Sequence, residues 1–472
     1  MTFMTAAFVF GTPLLFGAGL LRALGIVWRS DRLAYWAWAY LCGSLGTALA
    51  IFFWLLCGKP GSAVMLYSLL PVAGGLLLYR LRGRRAAPSA RPISSREDWV
   101  LYATIILLAV ICIDRITHIN CFPVTHGDEA NIWAAKAKTL FAASGFDAEL
   151  ARQTHLYPFH ADYPLLNPLL QSGSFELSEQ ILHITNRLPV QLFALAFLLV
   201  MAASLRLLVR PALTAVLLTL LFAHGASVAH SGPAASDFML AFGFITAADA
   251  WIRWSRSQDS CWWKLFAVAL AFTVWSKNEG VVLALVLCVA IAIGHFTERK
   301  KTLPPIGLDW LWLIAPCALI ALHRTLNASQ GLVNDLFDPR WSSQTFLERL
   351  FSGLSERLGT VMEYFVSHTL FAAETSRLLL ALFLGLIVCF PRRLWKGEVA
   401  VLSLCVVGGL AAYQLVFIAT PHSLQWHLDT ASSRVTFHLV PAATIGLAAG
   451  IARIFAREGG VRRASETHPD LP

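Results

Sequence analysis

Apolar runs of roughly 17–25 residues recur along the whole chain, each long enough to cross a hydrocarbon core of about 30 Å as a helix. Short basic loops or longer polar segments separate them. The runs predict spanning helices at about residues 4–27, 33–57, 62–80, 98–117, 187–209, 211–229, 234–252, 262–277, 279–296, 307–325, 367–390, 398–420 and 436–456, about 13 in all. The first run has no basic segment before it and exceeds a signal-peptide core, which predicts a retained helix. Residues 118–186 are too long and polar for a hairpin turn and predict a small folded lid. Within that lid, Ala130, Trp133, Ala137, Leu140 and Phe141 share one face of a helix starting at Asp128, flanked by Lys136 and Lys138. Such a helix is expected to lie on the membrane surface, with its lysine stems along the lipid and Asp128 on the far side. In 341–366, Leu347, Phe351, Leu354, Leu358 and Met362 follow helical spacing and predict a second interfacial helix.

Composition and charge sharpen this picture. Of 472 residues 57% are hydrophobic and 14% charged, with 16 Trp and 30 Phe, so the fold class is an all-α integral membrane protein. The net charge of +9 would suggest nucleic acid in a soluble protein. Here the basic residues sit in short loops between apolar runs and report orientation instead. Six arginines between Arg80 and Arg96 mark a cytoplasmic linker, and Arg206, Arg210, Arg253, Arg256, Arg392, Arg393 and residues 299–301 agree with it. That orientation places residues 118–186, 326–366 and 420–435 outside. Nine scattered cysteines imply neither a disulfide framework nor a zinc site. The expected organisation is 1–80, accessory helices; 81–97, basic linker; 98–300, core with outer loop 118–186; 301–456, C-terminal helices; and 457–472, cytoplasmic tail.

Ionisable groups at membrane depth are costly and suggest function. Five places carry them, and each has a plainer alternative. Asp128 and Glu129 lead the outer loop, where Asp128 could be only an N-cap. His160 and Asp162, with Tyr163, sit among prolines that also suit a surface turn. Asp237 opens an apolar helix, where the helix dipole alone favours an acid. Lys277 and Glu279 lie between two apolar runs as a catalytic pair or a plain ion pair. His427 and Arg434, near His422, Trp426 and Asp429, precede the last helix as site residues or as cap and anchor. The arginine-derived topology puts all five on one side. Cations (Lys277, Arg434, Arg187) facing carboxylates (Asp128, Asp162, Asp237) suit a site that holds a phosphate and activates a hydroxyl.

This set resembles the GT-C type glycosyltransferases of the protein O-mannosyltransferase and aminoarabinose transferase kind. The resemblance rests on the Asp128, Glu129 pair, on Asp162-Tyr163-Pro164-Leu165, on the helix opening with Asp237, and on Lys277-Asn278-Glu279-Gly280. It covers about residues 98–300, with a fainter echo at 420–456. In the aminoarabinose-type enzymes a lysine follows the acid of the second motif; here Tyr163 stands there. The resemblance implies a GT-C helical bundle that takes a sugar from a polyprenyl-phosphate carrier and transfers it with inversion to an acceptor hydroxyl on protein, lipid or glycan. Catalysis is assigned to Asp128, Glu129 and Asp162. Donor binding is assigned to Lys277, Arg434, Asp237, Glu279, His427, Arg187, His160 and Tyr163. The setting implied is a bacterial inner or plasma membrane with the site extracytoplasmic. The partners are the lipid-linked donor and membrane lipids, not nucleic acid. Paired carboxylates are chemistry for a divalent cation, although no oxygen-ligand motif is visible. The alternatives are a lipid-linked-glycan ligase and, from another class, a secondary transporter or flippase. A transporter would place its charges near the midplane of two repeated halves, and no such repeat is visible.

Overall fold

The computed structural model describes residues 2–81, 96–124, 127–143, 160–222, 233–298, 303–304, 307–370 and 375–465. The arginine-rich part of the linker, His126, the middle of the outer loop with His155, the end of the 211–229 run, residues 299–301 and the last residues of the tail lie outside them. Among the described residues all regular structure is helical, as the long apolar runs require. Among the described residues eight helices are long and apolar enough to cross a membrane, or nine if Leu424–Phe437 and Val440–Phe455, bent by 43°, form one span. Shorter apolar helices, Pro211–Phe222, Ser260–Ser276 and Arg377–Cys389, occupy three more of the predicted positions. The predicted position at 234–252 holds Ser236–Ser257, which carries Asp237, Asp249 and Arg253.

The three N-terminal helices, Thr2–Leu24, Tyr35–Leu56 and Ala63–Arg80, share one hydrophobic core with the rest of the bundle. Small residues let the first two approach closely: a Cβ on Gly17 would lie 1.8 Å from Ala39 O, and one on Gly43 1.8 Å from Pro13 O. Tyr40 Oη donates to Pro189 O at 2.9 Å, joining the second helix to His183–Arg206.

Charged side chains gather at the two ends of the bundle. At one end Arg206 pairs with Asp98 at 2.8 Å and Arg256 with Glu398 at 2.6 Å. Buried Arg253 there bonds both Asp31 and Asp249 at 2.9 Å. Its guanidinium also lies over the rings of Trp38 and Trp262, 4.7 and 5.1 Å from their centroids. At the other end Lys59 bonds Phe141 O at 2.8 Å and pairs with Glu176 at 2.7 Å. Asp128, Glu129, Asp162, Asp237 and Glu279 also lie at that end and belong to the candidate site. The same grouping follows from letting the helices alternate in direction from the basic flanks.

The amphipathic segments divide in their surroundings. Helix Phe346–Glu356 exposes Leu347, Phe351 and Leu354, as an interfacial helix should. Arg349 on its inner side bonds Ala419 O at 2.9 Å and also reaches Gln344 O and Leu336 O. The stretch after Asp128 differs from expectation. It is a π-helical turn, Glu129–Ala134, followed by helix Ala135–Ala142. Its apolar face (Trp133, Ala137, Leu140) is buried against protein, not laid on lipid. Lys136 is buried too, and only Lys138 is exposed.

Arg253 ties the N-terminal helices to the core, and removing one partner of a buried pair costs about 3–5 kcal/mol. Arg253→Met should therefore lower the thermal midpoint of the detergent-solubilised protein. Combined with Asp31→Asn it should lose clearly less than the sum of the two single losses. Strict additivity would mean that the pair does not couple the two parts.

Candidate active site at the polar end of the bundle

Three consecutive residues where helix Ser260–Ser276 gives way to helix Glu279–Glu298 organise this end. Lys277 Nζ bonds Asp237 Oδ1 at 2.9 Å and Glu279 Oε1 at 3.0 Å. Asn278 Nδ2 donates to Asp162 Oδ2 at 2.5 Å. Glu279 Oε1 also accepts from Tyr163 Oη at 3.5 Å. The turn is tight because Gly280 lies against Thr273 O, which a Cβ would approach to 2.0 Å. His438 Nε2 reaches Asp237 Oδ1 at 3.1 Å, and its Nδ1 lies 3.0 Å from Tyr413 Oη.

The adjacent carboxylates Asp128 and Glu129 have opposite environments. Glu129 is sealed: Arg187 Nε and Nη2 grip its two oxygens at 2.7 and 3.0 Å, and Ala234 N donates to it at 2.9 Å. Arg187 is fully buried and spends its remaining N–H groups on Ile119 O (2.6 Å), Phe122 O (2.7 Å) and Pro123 O (3.3 Å). Asp128, with 34% of its side chain exposed, pairs with Arg434, of which 25% is exposed. Its side chain makes no cap hydrogen bond, so the N-cap alternative is not what is observed. Arg434 and His438 are four residues apart, about 6 Å along a helix axis, so the Asp128 and Asp237 contacts are neighbours.

Asp162 is buried under a polar cover. Asn334 Nδ2 donates to its Oδ2 at 2.8 Å and Asn327 Nδ2 to its backbone oxygen at 2.8 Å. Next to Asn334, Asp335 Oδ2 lies 3.1 Å from His422 Nε2 and 3.7 Å from His160 Nδ1. His160 has a positive φ of 52° and stacks on Tyr163, ring centroids 4.5 Å apart. His427 stands at the edge, with Nδ1 2.8 Å from Thr420 Oγ1. All five sequence candidates thus meet at one end. Asn278, Asn327, Asn334, Asp335 and His438 join them without having been singled out as site residues. His438 carried a signal in its spacing from Arg434, as did the pair His323 and Asn327 in an apolar helix.

Residues 149–335 match the family model described as dolichyl-phosphate-mannose-protein mannosyltransferase, a GT-C family. Over that segment the chain is similar to this family of glycosyltransferases. The matched segment includes Asp162, Arg187, Asp237, Lys277, Asn278, Glu279, Asn334 and Asp335, whereas Asp128 and Arg434 reach the site from outside it. No curated protein and no solved structure matches the chain. The match supports a membrane mannosyltransferase that uses a polyprenyl-phosphate sugar donor. Among the described residues, no group of three or more His, Cys, Asp or Glu side chains is placed to hold a metal ion.

The two neighbouring acids should respond differently to neutralisation. Glu129→Gln strips the counter-charge from sealed Arg187, so loss of stability by about 3–5 kcal/mol, read as a lower thermal midpoint and yield, is its main effect. Asp128→Asn should leave the midpoint near that of the parent protein and lower turnover by roughly 10²–10⁴-fold. Full turnover in Asp128→Asn would remove it from the chemistry.

Proposed function

We propose that this protein transfers a sugar, mannose by the family match, from a polyprenyl-phosphate carrier to an acceptor hydroxyl on the extracytoplasmic side, with inversion, and that Asp128 is the general base. One observation carries the reading: the Asp128–Arg434 pair is still reached by water, while Glu129, Asp162 and Asp237 are sealed by protein partners. Arg434 spends Nε on Thr430 O at 3.1 Å and Nη1 on Asp128, and among the described residues Nη2 has no protein partner. A phosphate oxygen suits that edge of the guanidinium. Engaging it draws Arg434 off Asp128 and frees the carboxylate to accept a proton.

The acceptor oxygen then attacks the anomeric carbon as its proton passes to Asp128, and the bond from that carbon to the phosphate oxygen breaks. The polyprenyl phosphate leaves with one more negative charge than the donor carried. Positive charge nearby therefore favours the transition state over the bound donor. Arg434 is the direct phosphate ligand in this reading. Lys277, held by two carboxylates, positions Asp237 and Glu279 and adds field from behind. Arg187 and Glu129 brace the loop that carries Asp128. The placement of these charges at helix ends also favours an enzyme over a transporter.

Arg434→Ala should weaken donor binding by about 1.5–3 kcal/mol, or about 10–150-fold in Kd. Isothermal titration with the lipid-linked donor measures this, and an unchanged Kd would take Arg434 out of the site. Sidedness is tested separately, in a variant freed of its native cysteines. An impermeant maleimide applied from outside should label Gln180→Cys and not Ser257→Cys, two exposed positions at opposite ends. The reverse pattern would place the site in the cytoplasm.

A further inference from the structure

Lys136 is a buried cation at this end with no carboxylate partner among the described residues. Its Nζ donates to Tyr163 O at 2.9 Å, and among the described residues that neutral carbonyl is its one hydrogen-bond partner. The Arg187, Lys277 and Arg434 side chains each have a carboxylate instead. The charged group it feels most is Asp162, whose Oδ2 is already taken by Asn278 and Asn334. Lys136 belongs to the same site as Lys277, since the two ammonium groups lie 6.0 and 5.7 Å from the centroid of the Tyr163 ring. We propose that Lys136 is a further donor-binding residue, whose ammonium contacts a phosphodiester oxygen and takes up a proton as the anionic carrier binds. This rests on the donor reading above.

The physical case is one of missing counter-charge. An ammonium removed from water with a single neutral partner is costly, and burial pushes the Lys136 pKa down to about 7, with Asp162 opposing only in part. The other groups around it do not change this. His323 and Tyr163 are its further titratable neighbours at the site. Lys277 and Glu279 stand across the Tyr163 ring and satisfy each other. Lys59 and Glu176 pair at the far end of the Lys136 helix. Near neutral pH a large share of Lys136 is therefore the free amine. A phosphodiester brings a permanent negative charge that the sugar and acceptor hydroxyls lack, and so restores the protonated form. The sign follows. Below pH 7 the amine is already protonated and binding takes up little. Above it each binding event draws a proton, and affinity falls as the pH rises, by at most about tenfold per unit.

The test is isothermal titration of the full-length protein in detergent with farnesyl methyl phosphate, a phosphodiester that does not itself titrate near neutrality, in two buffers of different ionisation heat. Wild type should take up close to one proton per site at pH 8.5 and much less at pH 6, with Kd rising between those values. Lys136→Arg should bind with no such uptake, and Lys136→Gln should bind more weakly and also without it. Binding by wild type without proton uptake, or equal uptake in Lys136→Gln, would overturn the proposal while leaving the donor reading in place. Absence of any binding by wild type would overturn both.

Discussion

The buried bond between Lys277 and Asp237 is the constraint on which the polar end depends. Two charges at the ends of apolar helices are stable only if each is answered in place, because the desolvation cost of an isolated ion there exceeds what folding can supply. The chain meets this demand with one turn. Lys277 answers Asp237 and Glu279, Asn278 reaches Asp162, and Glu279 receives Tyr163. Three helices and the outer loop are thereby fixed relative to one another. His438 adds the last helix through the same Asp237.

With Asp162 and Asp237 sealed, the proposed chemistry falls to groups that solvent still reaches. Glu129 and Arg187 form a closed pair with every strong donor spent, which suits the bracing role proposed for them. One residue earlier, Asp128 faces a guanidinium that still has an edge to offer. In the proposed mechanism a base neutralised by the group that binds the leaving phosphate stays silent until the donor arrives, and that ordering protects the donor from reaction with water before the acceptor hydroxyl is in place.

Much of this was readable in the chain. Hydrophobic run length located the helices, and the arginine-rich flanks sorted their ends, so the convergence of five separated motifs followed from topology alone. What could not be read has a physical reason in each case. Periodicity shows that Trp133 and Ala137 share an apolar face, but lipid and protein are equally apolar, so burial against the bundle was invisible and the inward turn of Lys136 with it. Asp128 and Glu129 are alike in sequence, and only the distant Arg187 and Arg434 separate their roles. Nor does the sequence show that Arg187 is already engaged by Glu129 and by backbone carbonyls. Asn334 and Asp335 lie in a loop already rich in polar residues, and their partners Asp162 and His422 are remote in sequence.

In the proposed mechanism Asp128 takes the acceptor's proton and no covalent sugar intermediate forms, so the product is inverted. The anomeric configuration of the product tests this most directly. Purified protein given a lipid-linked donor of defined configuration should release a product of the opposite configuration, read from the anomeric one-bond C–H coupling by NMR at early times. A product that retains the donor's configuration would contradict the single-base account.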